Sequence, residues 1–260
     1  MGTHTRKKQI DFMSSSLQNK PVKKALILAA GLGTRLKPWT DKHPKALAEV
    51  NGKSLLQRNV EFLQAAGIKD VIVNVHHFAD QILQALEENN GWGSNISISD
   101  ETNEVLETGG GLLKASSFFE GEENCVMMNA DVLTDLDLIK MISLHQASSA
   151  LATLAVSNRQ TSRYFLFNDK DELSGWKNHK TGEEKIKKTS GHLTEKAFSG
   201  IHIINRRLFS LMHRVGKFSI VDVYLDLCAT ETIKAFDHSG RRFIDVGKPE
   251  SIQQAEEMFE

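Results

Sequence analysis

The chain holds only two cysteines, Cys125 and Cys228, in 260 residues. Each sits among apolar neighbours, so both read as buried free thiols in a reducing compartment, not as a disulfide framework. No stretch approaches the ~20 apolar residues that a membrane helix needs. Residues 1–22 are polar and lack the apolar core of a secretory signal; they read as a flexible extension. The formal net charge is −1, which supplies no basic field to hold nucleic acid, so any anion site must be local. There is no internal repeat. These absences predict a cytoplasmic protein with neither a membrane nor a nucleic-acid partner.

What is present suits a core. Hydrophobic residues make up 40% of the chain, enough for one large α/β domain over residues 23–260. Residues 25–30 are a continuous apolar run that reads as a buried parallel strand. Ser54 caps a helix with Leu56, Val60 and Leu63 on one face. A strand follows at 71–75, then a helix marked by Phe78, Ile82 and Leu86. Residues 96–98 and 126–128 read as two more strands. Between them, a turn at Gly109, Gly110 and Gly111 opens a short helix over Leu112 and Leu113. Such alternation predicts a parallel sheet with right-handed crossovers. Ligands of such sheets sit at the C-terminal strand ends. The second half is less regular, with strands expected at 151–156, 198–204 and 243–246 and a last helix at 249–259. Residues 168–197 are polar and Lys-rich and read as a small β-rich insertion or flap. Within it, Trp176 reads as a packed side chain before a lid, and Lys185, Lys187 and Lys188 as a solvated face.

The loop after the first strand carries Gly31, Gly33, Thr34, Arg35, Pro38, Pro44 and Lys45. Two glycines after a buried strand let backbone N–H groups approach an anion. Arg35 offers a planar fork for phosphate oxygens and Lys45 a point charge. A dinucleotide fingerprint would need glycine at 36, which is Leu36. A P-loop ending at Gly52-Lys53-Ser54 would need glycine at 47, which is Leu47. The adjacent His76 and His77 point to opposite sides of an extended segment and make a poor chelate.

The whole string Gly31-x-Gly33-Thr34-Arg35-Leu36-x-Pro38-x-Thr40, with Pro44-Lys45, resembles the signature of sugar-1-phosphate nucleotidyltransferases. Within that family it is most similar to the N-acetylmuramate-1-phosphate uridylyltransferases. Leu106 to Gly111, Asn129-Ala130-Asp131-Val132, Phe198 to Ile201 and Ile244 to Gly247 extend the resemblance in order along the chain. It implies a single Rossmann-like α/β domain with a mostly parallel mixed sheet flanked by helices.

The resemblance also implies roles. Ala29, Ala30, Gly31, Thr108 and Gly109 would face the base and ribose, with Glu104 and Glu107 as nearby surface charges. Gly33, Thr34, Arg35 and Lys45 would hold the triphosphate. Arg35, Lys45 and Asp131 would carry catalysis. Asp131 and Asp245 would hold Mg²⁺, which typically takes only one or two protein carboxylates; Asp135 and Asp137 belong to the next helix start. Asn129, Arg163, Asn178, Ser199 and Gly200 would meet the sugar phosphate. The expected partners are an NTP, most simply UTP, and N-acetylmuramate 1-phosphate. GTP with mannose or heptose 1-phosphate, CTP with phosphocholine, and a non-catalytic sensor on the same fold are the rivals.

Overall fold

The computed structural model describes residues 20–188 and 191–259. The expected extension falls largely on residues 1–19, outside the described residues. Val22 is buried against the first core cluster, so the packed unit already includes it.

The apolar run becomes β1 (Lys24–Leu28). A small hairpin, β2 (Glu49–Val50) and β3 (Lys53–Ser54), leads into α1 (Leu55–Ala65). Ser54 caps α1 by accepting from the Gln57 N–H at 3.1 Å, the contact that ordinarily satisfies a free helix donor. Next come β4 (Asp70–Val75), α2 (Ala79–Glu88), β5 (Asn95–Asp100) and α3 (Glu107–Lys114). After them stand β6 (Asn124–Asn129), β7 (Val132–Thr134) and α4 (Leu138–Ala147), which Asp137 caps.

The second half adds β8 (Ala152–Ser157), β9 (Arg163–Phe167), β10 (Leu173–Asn178), β11 (Glu184–Ile186) and β12 (Thr194–Asn205). It closes with α5 (Arg207–Leu211), α6 (Ile220–Leu227), β13 (Ile233–Asp237), β14 (Phe243–Asp245) and α7 (Pro249–Met258).

One ten-stranded mixed sheet runs β11-β10-β9-β12-β6-β1-β4-β5, with β8 and β13 branching from β12. β6, β1, β4 and β5 are mutually parallel, whereas β12 runs antiparallel to β6, β8 and β9. Residues 168–197 are β-rich, carrying β10 and β11, and join the main sheet through β9 and β12. Trp176 packs partly buried against the second core cluster, with the Lys185 ammonium 5.4 Å from its ring centroid.

The glycine triplet is not a turn before a helix. Gly109, Gly110 and Gly111 lie inside α3. A Cβ at Gly110 would stand 2.3 Å from the Gly216 carbonyl oxygen, and one at Gly109 2.5 Å from the Phe218 ring. Close packing of α3 against that segment outweighs the low helix propensity of glycine. Cys125 and Cys228 are buried and unpaired, and burial pushes the Cys125 thiol up to about 12. Among the described residues no helix is long and apolar enough to cross a membrane.

Candidate active site

The C-terminal ends of β1, β4, β5 and β6 surround a cavity of about 350 Å³. Leu28, Ala29, Ala30 and Gly31 line it from β1, and Asn129, Ala130 and Asp131 from β6. Lys45, Ala46, Asn74, Glu101, Val105, Glu107, Thr108 and Ser219 complete the wall. This is the strand-end position that parallel sheets offer to ligands.

Backbone forms the floor, and buried side chains hold it. The N–H groups of Ala29 and Ala30 both donate to Asn74 Oδ1, at 2.5 and 3.1 Å. Asn74 Nδ2 donates in turn to Glu101 Oε1 at 2.7 Å, and Glu101 Oε2 accepts from the Leu106 N–H at 3.1 Å. Asn74 is 2% exposed and Glu101 1%, so each bond replaces a contact that water cannot supply. A Cβ on Gly31 would meet nothing within 4 Å, so the space above that residue is open to a ligand.

The loop after β1 turns through Gly33, whose carbonyl accepts from the Leu36 N–H and the Thr40 hydroxyl at 2.8 and 2.9 Å. Thr34 and Arg35 sit exposed in the short turn that follows. Thr108 reaches the cavity wall, but its hydroxyl accepts from the Ile220 N–H at 3.0 Å. The Gly109 N–H donates to the Phe218 carbonyl at 2.9 Å. His76 is bonded to the Glu101 carbonyl through Nδ1 at 2.6 Å.

The two distant aspartates meet because β14 pairs with β7, setting Asp245 opposite Val132, while the Val246 N–H donates to the Asp131 carbonyl at 2.8 Å. Lys45 stands between them: its ammonium pairs with Asp131 Oδ2 and lies 3.9 Å from Asp245 Oδ1. Arg35 Nη2 is also 3.9 Å from Asp245 Oδ1. Partial burial, and then the nearby Asp131 carboxylate, hold the Asp245 carboxyl above its usual range, opposed by Lys45, Arg35 and Arg159. The two carboxylates, faced by Lys45 and Arg35, are an oxygen-only donor pair. That suits a hard divalent cation completed by substrate oxygens. Among the described residues no group of three or more His, Cys, Asp or Glu side chains could hold a metal.

The residues expected at the sugar phosphate divide. Asn129 lines the cavity, and Gly200 abuts it, since a Cβ at Gly200 would stand 2.6 Å from Asn129 Nδ2. Ser199 is buried and bonded to His238 Nε2 at 2.7 Å. Asn178 closes its own turn, accepting from the Lys180 N–H at 3.0 Å. Arg163 is exposed, paired in register with Asn178 across β9 and β10.

Sequence reading missed Asn74 and Glu101. Asn74 was the visible signal, the one polar residue inside an apolar strand at 71–75. It also missed Arg159 and His238, which the fold brings beside Ser199 and for which no motif speaks.

A family model described as nucleotidyl transferase matches residues 24–260. An N-acetylmuramate alpha-1-phosphate uridylyltransferase from Caulobacter vibrioides is 31% identical over 89% of this chain and 95% of that protein. A mannose-1-phosphate guanyltransferase from Yarrowia lipolytica is 30% identical over 88% of this chain, which spans only 62% of that longer protein. The solved structure of HddC from Yersinia pseudotuberculosis complexed with GMP-PN superposes with a TM-score of 0.72 at 25% identity, covering 92% of this chain and all of that one.

Proposed function

We infer the reaction from membership and geometry together: the chain belongs to the nucleotidyl transferase family. We propose that it transfers a nucleoside monophosphate from an NTP to a sugar 1-phosphate, with UTP and N-acetylmuramate 1-phosphate as the pair. The observation that carries the reaction class is Lys45 set between Asp131 and Asp245 beside a cavity floored by the Ala29–Gly31 backbone. The near end-to-end likeness to the Caulobacter uridylyltransferase supports the substrate pair. The likeness to a guanyltransferase and to a structure holding GMP-PN supports GTP with mannose or heptose 1-phosphate as the second reading.

In this reaction an oxygen of the sugar phosphate attacks the α-phosphorus of the NTP. The new P–O bond forms as the bond between the α-phosphorus and its bridging oxygen breaks, and pyrophosphate leaves. The attacking phosphate is already ionised at neutral pH, so no general base is needed. Catalysis is then positioning and charge neutralisation. The Asn74-clamped backbone holds the nucleoside end. Lys45 reaches the α-phosphate, and Arg35, exposed at the rim, reaches the β- and γ-phosphates. Mg²⁺ held by Asp131 and Asp245 would supply further positive charge where the two substrates' phosphates meet.

Pyrophosphate release tests this, with four NTPs crossed against a panel of sugar 1-phosphates and phosphocholine in the presence of Mg²⁺. Release for UTP with N-acetylmuramate 1-phosphate, lost in Asp131→Ala, is the expected result. Release for GTP with a mannose or heptose 1-phosphate instead would correct the pair and keep the chemistry. Silence on every pair with nucleotide still bound would make the protein a sensor.

A further inference from the structure

Beyond the nucleotide cavity, the described residues hold a cluster of buried polar atoms with nothing to bond. Arg159 Nε, His238 Nδ1 and Ser157 Oγ all lack a hydrogen-bond partner. They belong together. The Phe243 ring lies 5.0 Å from the Arg159 guanidinium carbon and 5.7 Å from the His238 ring. The His238 N–H donates to the carbonyl of Val156, next to Ser157, at 2.9 Å. His238 is 4% exposed and Ser157 7%. Buried polar groups are normally satisfied, so such a cluster points to something that the protein alone does not provide.

The polarity of the cluster says what that is. Arg159 donates from Nη2 to the Phe198 carbonyl at 2.6 Å, and among the described residues no carboxylate lies within ion-pair distance of it. Burial holds His238 below its ordinary value, so it is neutral at physiological pH. The Ser199 hydroxyl and His238 Nε2 share a hydrogen bond; where the hydroxyl donates in it, Nδ1–H is the free donor. The serine hydroxyl donates freely. The Arg159 Nε–H and the Ser157 hydroxyl are two free donors, one of them on a guanidinium, and with His238 Nδ1–H they make a receptor for an anion.

The location says whose anion. Asp245 is the largest charge acting on Arg159. Phe198, whose carbonyl Arg159 holds, is followed by Ser199 and then Gly200, which abuts Asn129. The cluster therefore flanks the aspartate pair, and it shares no residue with the nucleotide cavity.

We propose that Arg159, with His238 and Ser157, forms the subsite for an anionic group of the acceptor, its phosphate or a carboxylate on its sugar. This rests on the transfer reaction proposed above. Arg159 then fixes the acceptor against the α-phosphorus and helps to select acceptors by charge.

Titration calorimetry of the full chain tests this without turnover. The ligands are N-acetylmuramate 1-phosphate, glucose 1-phosphate, inorganic phosphate and UTP. Arg159→Gln should bind the sugar phosphates about tenfold to hundredfold more weakly, the scale of a lost charged hydrogen bond, with UTP affinity unchanged. Arg159→Lys, which keeps the charge and loses the fork, should fall between. Equal weakening for both sugars assigns the subsite to the phosphate. Weakening confined to the muramate assigns it to the carboxylate. Should the glutamine variant not fold, Arg159→Lys and Ser157→Ala carry the same comparison.

Unchanged acceptor affinity in the variants, or UTP affinity falling in step, overturns the proposal and leaves a buried water as the occupant. Arg159-dependent anion binding without turnover on any pair would sink the reaction and keep the subsite. Turnover with an Arg159-independent acceptor KM would do the reverse.

Discussion

The two halves of the sheet build their binding surfaces differently. In the parallel half, β6, β1, β4 and β5 end on a cavity whose floor is main chain, held from behind by Asn74 and Glu101. In the antiparallel half around β12, the polar surface is side chain: Arg159, His238, Ser199 and Ser157. Among the described residues, His202 and His238 lie on or beside β12 in the second half, and His145 bridges the two, bonding Thr153 of β8 and Asn124 of β6. A main-chain surface is set by strand geometry and tolerates many side-chain changes. A side-chain surface depends on each residue, and here on the charge state of its neighbours.

The largest effect should come where the halves meet. Asp131→Ala and Lys45→Ala should each cost about 10²–10³ in kcat, the scale of one lost preorganised contact, read by pyrophosphate release.

Acid should then separate the halves' contributions. Burial pushes His202 down to about 3 and His145 down to about 4, from 6.5. Both are neutral in the fold, and the unfolded chain takes up their protons first. Their contribution is complete above pH about 6.5 and is lost as pH falls below that value towards their folded values. The expected slope is about 1.4 kcal/mol per pH unit for each histidine. Urea melts at pH 7.5, 6 and 5 read it directly. His202→Gln should remove one histidine's share of the slope, about 1.4 kcal/mol per pH unit, and an unchanged slope would refute the assignment.

A smaller effect tests the parallel half alone. Asn74→Leu leaves the Ala29 and Ala30 N–H groups and the Glu101 carboxylate short of a partner, at about 1–3 kcal/mol of stability for such losses. The NTP KM should rise while the acceptor KM holds. The smallest expected effect on stability is Gly31→Ala. Its methyl meets open space, so the melting temperature should stay while NTP affinity falls. Gly111→Ala, whose methyl would stand 2.7 Å from Glu101 Oε1, should instead melt earlier.

The sequence was most readable where chemistry and chain order coincide. The parallel strands, the Ser54 cap and the loop from Gly31 to Lys45 all follow from local pattern. Asp131 and Asp245 needed a resemblance, because only the pairing of β14 with β7 joins them. Asn74 was legible as a polar residue in an apolar strand, yet its partners are backbone groups that no residue type announces. Arg159 and His238 were illegible, because the pairing of β13 with β8 brings them together and both then bond to β12 just before its bend at Gly200. The glycine triplet misled because its tight neighbour, the segment from Gly216 to Phe218, lies far along the chain.

That bend has a mechanical consequence. At Gly200, with φ at +72°, the pairing of β12 with β8 changes register between Phe198 and His202, while the segment beyond it pairs with β6. A single strand is thus riveted into both halves, and neither can come loose without stripping hydrogen bonds from the other. Unfolding of the histidine side should carry the Ala29–Gly31 floor with it, so acid should abolish UTP binding and tertiary structure in one step. The molecule fails as a single sheet of cloth tears, along a seam that both pieces share.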